Sequence, residues 1–236
     1  MAETDSGLLD TSVVIDLDAI DPADAARALM LWVNSPSNPT GALSDLDAAA
    51  AWGRARGVPV FSDECYVEFT WDGRGRTILE QGIDGVVAVH SLSKRSNLAG
   101  LRVGFYAGDE ELVTYLKEVR KHVGMLVPGP AQAAGAVALS DDDHVQVQRD
   151  RYRARLERLA GVLSRWSGLD VPMPAGGFYL WFDAEDGWAF AERLAVTGGA
   201  LVSPGDFYGA GGANNVRVAV VQPDDRIDQV ARRLGV

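Results

Sequence analysis

Four short apolar runs alternate with stretches of helical pattern in the first half of the chain. The runs occupy residues 28–33, 58–62, 85–90 and 101–107. Each is almost continuous in hydrophobic side chains, which is typical of strands buried on both faces of a parallel sheet. Right-handed crossovers between such strands would place their carboxyl ends along one edge. The pattern therefore predicts an α/β fold with a mostly parallel sheet.

The polar and apolar spacing also predicts four helices before residue 168. One runs from an N-cap at Ser44 to Gly57, and the others cover residues 110–123, 131–139 and 143–167, the last of which is rich in arginine. The first dozen residues are polar, and we expect them to be poorly ordered.

The pattern changes beyond residue 168. Short strands at 177–182, 200–203 and 215–221, with a helix at 187–196, predict a smaller α+β unit. We therefore expect a partial large domain over residues 1–145 and a C-terminal small domain over residues 146–236.

Composition excludes several classes of protein. The chain has 236 residues, of which 47% are hydrophobic and 23% charged, as in ordinary globular proteins. Its net charge of −11 argues against nucleic-acid binding. The single cysteine, Cys65, excludes an internal disulfide and a cysteine-based zinc cluster. No apolar run approaches the roughly 18 residues of a membrane span, and the first ten residues lack the basic and then apolar pattern of a signal peptide, so we expect a cytoplasmic protein without a membrane partner.

Chemistry-bearing side chains follow three of the predicted strands, in the loops 34–41, 63–66 and 91–94. Ligands of parallel sheets bind in the crevice outside the carboxyl ends of the strands, so these loops are expected to converge there. Lys94 is notable because only three of the 22 basic residues are lysines. Lys117 and Lys121 lie four residues apart on an amphipathic helix and fit an ordinary charged surface.

Each of these features also has a purely structural explanation. Prolines in a loop often mark only a turn, and an aspartate after a strand is often a cap. The arginines between residues 149 and 158 fit a solvated helix face. His90, His122 and His144 show no metal-ligand spacing, so no metal site is predicted, and Cys65 fits a small buried thiol.

Taken together, the three loops indicate one protein family much more specifically than any one of them does alone. The runs NSPSNPTG (34–41), SDECY (62–66) and SLSKRSNLAGLRVGF (91–105) resemble those of class I/II aminotransferases, which are fold-type-I enzymes that use pyridoxal phosphate (PLP). The resemblance extends from about residue 14 over nearly the whole chain. The longer runs 32–41, 62–71, 120–134 and 203–209 are most similar to actinobacterial N-succinyldiaminopimelate aminotransferases.

The resemblance implies a catalytic role for three residues. Lys94 corresponds to the lysine that binds PLP covalently and later moves the substrate proton. Asp63 corresponds to the carboxylate that keeps the pyridine nitrogen of PLP protonated. Tyr66, together with Asn38, corresponds to the pair that hydrogen-bonds the 3′ oxygen of the cofactor ring.

The resemblance also implies binding residues. Ser91 and Arg102 correspond to phosphate ligands, and a guanidinium group suits an oxyanion. Arg217 corresponds to the arginine that holds the substrate α-carboxylate, and Asn38 and Phe178 lie on the substrate side. Without the resemblance, Arg217 would be interpreted as an ordinary arginine on a strand.

The function implied is amino transfer between N-succinyl-LL-2,6-diaminopimelate and 2-oxoglutarate in lysine biosynthesis, by a homodimer. In this family a longer segment precedes the NPTG loop, so we expect the chain to be N-terminally truncated, with the four predicted strands forming the centre of a seven-stranded sheet and leaving two open edges. Three alternatives remain: an aminotransferase of another amino acid, a fold-type-I β-lyase, or a catalytically inactive remnant.

Overall fold

The computed structural model describes residues 8–11 and 15–236. A five-stranded sheet occupies the N-terminal part, in the spatial order β1-β2-β3-β4-β5. Its strands are β1 (Leu8–Thr11), β2 (Met30–Asn34), β3 (Val60–Asp63), β4 (Val86–Ser91) and β5 (Gly104–Gly108). The first four are parallel, which confirms a mostly parallel sheet.

Two sequence expectations about this sheet are wrong. Strand β5 runs antiparallel to β4, because the connection between them contains only short helical turns and no crossover helix. Leu8–Thr11, expected to be poorly ordered, forms the edge strand β1 beside β2. For residues 1–7 and 12 that expectation lies outside the described part of the chain.

Eight α-helices are found in the described chain. They are α1 (Pro22–Arg27), α2 (Leu46–Arg56), α3 (Leu92–Arg95), α4 (Glu110–His122), α5 (Gly129–Leu139), α6 (Asp143–Ser167), α7 (Gly187–Gly198) and α8 (Asp224–Leu234). Helix α2 starts one residue later than predicted, since the carboxylate of Asp45, rather than Ser44, caps it by accepting from the Ala48 amide. Gly57 ends it in the left-handed conformation, at φ 64°.

A second, antiparallel sheet lies in the C-terminal part. It contains β6 (Tyr179–Asp183), β7 (Ser203–Pro204) and β8 (Asn215–Ala219), in the order β6-β8-β7. The strand predicted at 200–203 is reduced to the two residues of β7. The predicted domain boundary near residue 145 falls in the first turn of α6 and stays a prediction.

Two hydrophobic cores support these sheets. The first packs α2 against β2, β3 and β4, with Leu31, Val33 and Val60 fully buried. The second joins α6, α7, α8 and the second sheet, and it also contains Tyr66 and Phe69 from the loop after β3. That loop therefore anchors the carboxyl edge of the first sheet to the second core. None of the described helices is long and apolar enough to cross a membrane.

Candidate active site

The carboxyl ends of β2, β3 and β4 lie side by side. Parallel pairing aligns Asn34 with Asp63, and Asp63 with Val89, two residues before the end of β4. The Asn34 side chain joins two of the ends, since its Nδ2 donates to the Asp63 carbonyl at 2.9 Å and its Oδ1 accepts from the Asn38 amide at 2.7 Å. Asn34, which the sequence did not single out, thus holds the loop that carries Asn38.

Lys94 lies in α3, directly after β4. The N-cap of this helix is Ser91, whose hydroxyl oxygen accepts from the Ser93 amide at 3.1 Å. The Lys94 ammonium is 5.9 Å from the ring centroids of both Tyr66 and Phe178. Among the described residues, no carboxylate forms an ion pair with it. The amine is therefore available for other chemistry.

Tyr66 contacts residues on β6 and just before it. Its hydroxyl lies 3.1 Å from the Tyr179 hydroxyl, and its ring meets that of Phe178 edge to face at 5.3 Å. Burial, followed by the neighbouring Tyr179, raises the pKa of Tyr66, so the phenol stays protonated and can donate a hydrogen bond. This contact brings Tyr179 to the site as well.

Arg217 and Asn38 come together from opposite ends of the chain. Arg217 lies on β8, and its Nη1 donates to the Asn38 side-chain oxygen at 2.7 Å. The guanidinium lies over the rings of Tyr179 and Tyr208, at 4.3 and 4.8 Å. Its Nε is buried without a hydrogen-bond partner among the described atoms. One donor of this cation is therefore unused, at a place where donors are normally satisfied.

Ser91 and Arg102 line one cavity of about 210 Å³, together with His90 and Phe105. The Arg102 backbone has φ 54°, and its Nη1 donates to the Ala99 carbonyl at 3.0 Å. The ring of His90 stacks on Phe105 at 4.9 Å. Burial lowers the pKa of His90, which favours its neutral form.

Asp63 and Cys65 lie next to each other after β3. The Asp63 carboxylate accepts from the Cys65 amide at 3.1 Å, which fixes its orientation. Burial raises the pKa of the Cys65 thiol, with the Asp63 charge adding to the effect. A protonated thiol is a poor nucleophile, so Cys65 does not compete with Lys94. No cluster of His, Cys, Asp and Glu that could hold a metal occurs in the described chain.

The predicted residues thus form three groups. In the first group, Lys94 lies beside the rings of Tyr66 and Phe178. In the second, Arg217 is hydrogen-bonded to Asn38. The third consists of Ser91 and Arg102, which line the 210 Å³ cavity. Asp63 lies between the first two groups in the strand register, next to Asn34.

Comparison with known proteins identifies the family. The sequence model for aminotransferase class I and II matches residues 11–234. The chain is 45% identical to the 4-dedimethylamino-4-oxo-anhydrotetracycline transaminase OxyQ of Streptomyces rimosus over 214 residues, which cover 87% of this chain and 59% of OxyQ. It is 33% identical to the LL-diaminopimelate aminotransferase of Aquifex aeolicus, over 93% of this chain and 59% of that protein.

Comparison of the fold with solved structures identifies the same family. The structure of N-succinyldiaminopimelate aminotransferase from Mycobacterium tuberculosis superposes with a TM-score of 0.82 at 27% identity, over 94% of this chain and 61% of that one. The chain therefore spans about three fifths of the length of these relatives. Its two sheets form part of the fold-type-I aminotransferase architecture. The chain belongs to the class I and II aminotransferases, a family whose members use pyridoxal phosphate.

Proposed function

We propose that this chain supplies the reactive lysine and the binding residues of a PLP-dependent aminotransferase, which moves an amino group from an amino acid to a 2-oxo acid. The observation that carries the proposal is the environment of Lys94. Its amine has no ion-pair partner among the described residues, lies beside two aromatic rings, and follows a strand whose neighbour ends at Asp63.

The residues present fit PLP as a ligand. Asp63 offers an anion for a protonated ring nitrogen, and Lys94 offers a free amine. Arg102 and Ser91 offer a cation and a hydroxyl in one cavity, which suits a phosphate group. The unpartnered Nε of Arg217 is a buried donor that a bound carboxylate would satisfy. The donor set thus complements both the cofactor and an α-amino acid.

When bound, PLP supplies an electron sink that stabilises a carbanion at the substrate Cα. In our proposal, Lys94 would hold it covalently, and the Lys94 amine, once released by the incoming amino donor, would carry the proton that leaves and returns to substrate carbon. Asp63 holds the proton on the ring nitrogen through its negative charge. Tyr66, kept neutral by burial, donates a hydrogen bond to the 3′ oxygen beside Asn38.

The remaining residues bind and orient. Arg217 holds the substrate α-carboxylate with its guanidinium fork, which Asn38 orients from the other side. The rings of Tyr179 and Tyr208, over which the guanidinium lies at 4.3 and 4.8 Å, help to keep it in place. The Phe178 ring, whose centroid lies 5.9 Å from the Lys94 nitrogen, gives the amine an apolar neighbour.

As the substrate pair we propose N-succinyl-LL-2,6-diaminopimelate and 2-oxoglutarate, with the protein acting as a cytoplasmic homodimer. The LL-diaminopimelate aminotransferase relative and the N-succinyldiaminopimelate aminotransferase neighbour support a diaminopimelate-type donor. The similarity to OxyQ instead favours transfer to or from a different carbon skeleton, so another amino donor is the second candidate.

A donor panel tests this proposal. The chain, supplied with PLP and 2-oxoglutarate, is assayed for glutamate formation with N-succinyl-LL-diaminopimelate, LL-diaminopimelate and common amino acids, beside Lys94→Ala. We expect the succinylated donor to give the fastest lysine-dependent transfer. Faster transfer from another donor contradicts the substrate, and release of ammonia without glutamate favours β-elimination. Absence of transfer with every donor contradicts the proposed activity of this chain.

A further inference from the structure

Three side chains outside the candidate active site form a continuous hydrogen-bonded series. Nδ1 of His144 lies 2.9 Å from Oδ2 of Asp141, and Nε2 of the same ring lies 2.9 Å from Oγ of Ser96. Ser96 ends helix α3, while Asp141 and His144 lie at the start of α6. Residues 48 positions apart in the sequence are therefore joined through one imidazole ring.

The carboxylate of this series is well fixed. Asp141 lies three residues before His144, so the turn that begins α6 places both groups on the same side. The Asp141 carboxylate also accepts from the Asp143 amide at 2.9 Å. These hydrogen bonds lower the pKa of Asp141, which keeps it ionised at neutral pH. An ionised carboxylate favours the imidazole tautomer with a proton on Nδ1.

The serine end has the partners that a nucleophile needs. With Nδ1 protonated, Nε2 of His144 is free to accept the proton of the Ser96 hydroxyl. Nη1 of Arg95 donates to Ser96 Oγ at 3.3 Å, so a cation lies beside the hydroxyl oxygen and favours its negatively charged form. Arg95 is itself held by the Ala138 carbonyl at 2.9 Å and by Glu68 at 3.2 Å.

The series is partly exposed to solvent, with Ser96 half-buried, and is separate in orientation from the PLP residues. The side chains of His144 and Asp141 are 34% and 53% exposed. Although Ser96 follows Lys94 by two residues, the Lys94 side chain points toward Tyr66 and Phe178, whereas Ser96 faces α6.

We propose that Ser96 is a second reactive site, a nucleophile activated by His144 and Asp141 that accepts acyl or phosphonyl groups from small activated donors. With an aryl ester, Ser96 Oγ bonds to the carbonyl carbon and the bond to the aryloxide oxygen breaks. The hydroxyl proton passes to His144 Nε2 and then to the aryloxide. Attack by water on the acyl-serine releases the carboxylic acid and restores the hydroxyl.

The test treats the purified chain with a fluorophosphonate probe and with 4-nitrophenyl acetate, with peptide mapping by mass spectrometry. We expect one phosphonyl group per chain, on Ser96, and none in Ser96→Ala. His144→Ala should slow labelling by about 100-fold, the usual contribution of a positioned base. Asp141→Ala should slow it less. Ser140→Ala is the matched control and should label at the normal rate, because Ser140 bonds only its own helix end through the Val137 carbonyl.

Other results would overturn the proposal. They are no label on Ser96, label only on lysines, or equal rates in the parent chain and His144→Ala when circular dichroism shows both folded. His144→Gln is the second variant, because a glutamine can keep a hydrogen bond to Ser96 but cannot accept its proton. Normal labelling in His144→Gln would show that the histidine only ties α3 to α6. The readout requires neither PLP nor an amino donor, so it is independent of the proposed aminotransferase activity.

Discussion

At the residue scale, Glu64 carries a fully buried carboxyl group beside Asp63. One of its oxygens accepts from the Ile78 amide at 2.8 Å. The other faces His90 Nε2 at 3.3 Å, without a hydrogen bond among the described atoms. Burial is the main cause that raises the pKa of Glu64 above its usual value of 4.5. The folded protein therefore favours the protonated form.

We expect Glu64→Gln to change how stability depends on pH. Because the folded pKa is raised, the contribution of Glu64 is most favourable below about pH 4.5 and is lost as the pH rises through the raised value. The glutamine keeps an acceptor for Ile78 and does not ionise. Urea unfolding between pH 4 and 8 should therefore show the variant gaining stability relative to the parent as pH rises. The exposed Glu192→Gln is the control substitution. A difference between Glu64→Gln and the parent that stays constant with pH would contradict this account.

Arg217 gives a second prediction at this scale. A lysine in its place cannot offer the planar fork that holds a carboxylate at two points while another nitrogen donates to Asn38. A hydrogen bond to a charged group contributes about 1.5–3 kcal/mol, so Arg217→Lys should raise the KM for the amino donor by about 10- to 100-fold. The exposed Arg226→Lys on α8 is the control. An unchanged KM in Arg217→Lys would contradict a role for Arg217 in substrate binding.

At the scale of the element, helix α6 shows where sequence reasoning succeeds and where it stops. Its bounds and its buried stripe follow from apolar residues at helical spacing, which is a local pattern. The arginines on its other side were predicted to be a solvated face. Arg153 fits, since its partner is the exposed Glu157 on the same helix. Arg149 and Arg155 do not fit a solvated face, because Arg149 is hydrogen-bonded to the loop after β3 and Arg155 to helix α8. Spacing along one helix cannot show what packs against it.

We therefore expect Arg149→Ala to be destabilising. Its guanidinium donates to the carbonyls of Glu68 and Thr70 and lies over the Trp71 ring at 4.8 Å, which fastens α6 to the loop that carries Tyr66. Loss of these charge-assisted bonds should lower the free energy of unfolding by about 2 kcal/mol. Arg153→Ala, which removes only an exposed pair, should change it by less than about 0.5 kcal/mol. Equal effects in chemical denaturation would contradict the anchoring role of Arg149.

At the scale of the whole molecule, the architecture follows from the pattern more completely than the site does. Alternating apolar runs and helices predicted the mostly parallel sheet, but not the antiparallel β5. The family motifs supplied Lys94, Asp63 and Arg217. The contacts of Tyr66 with Tyr179 and of Asn38 with Arg217 span 113 and 179 positions and depend on how the two sheets face each other. No local pattern encodes such contacts.

In our proposal, Lys94 is the reactive lysine of a PLP site in this chain, which spans about three fifths of the length of its relatives. The most direct measurement is a near-visible absorbance titration with PLP of the parent chain, of Lys94→Ala and of the control Lys117→Ala. We predict a saturable band in the parent and in Lys117→Ala that shifts when an amino donor is added, and no such band in Lys94→Ala. A band of equal strength in Lys94→Ala, or no band in the parent, would contradict the account.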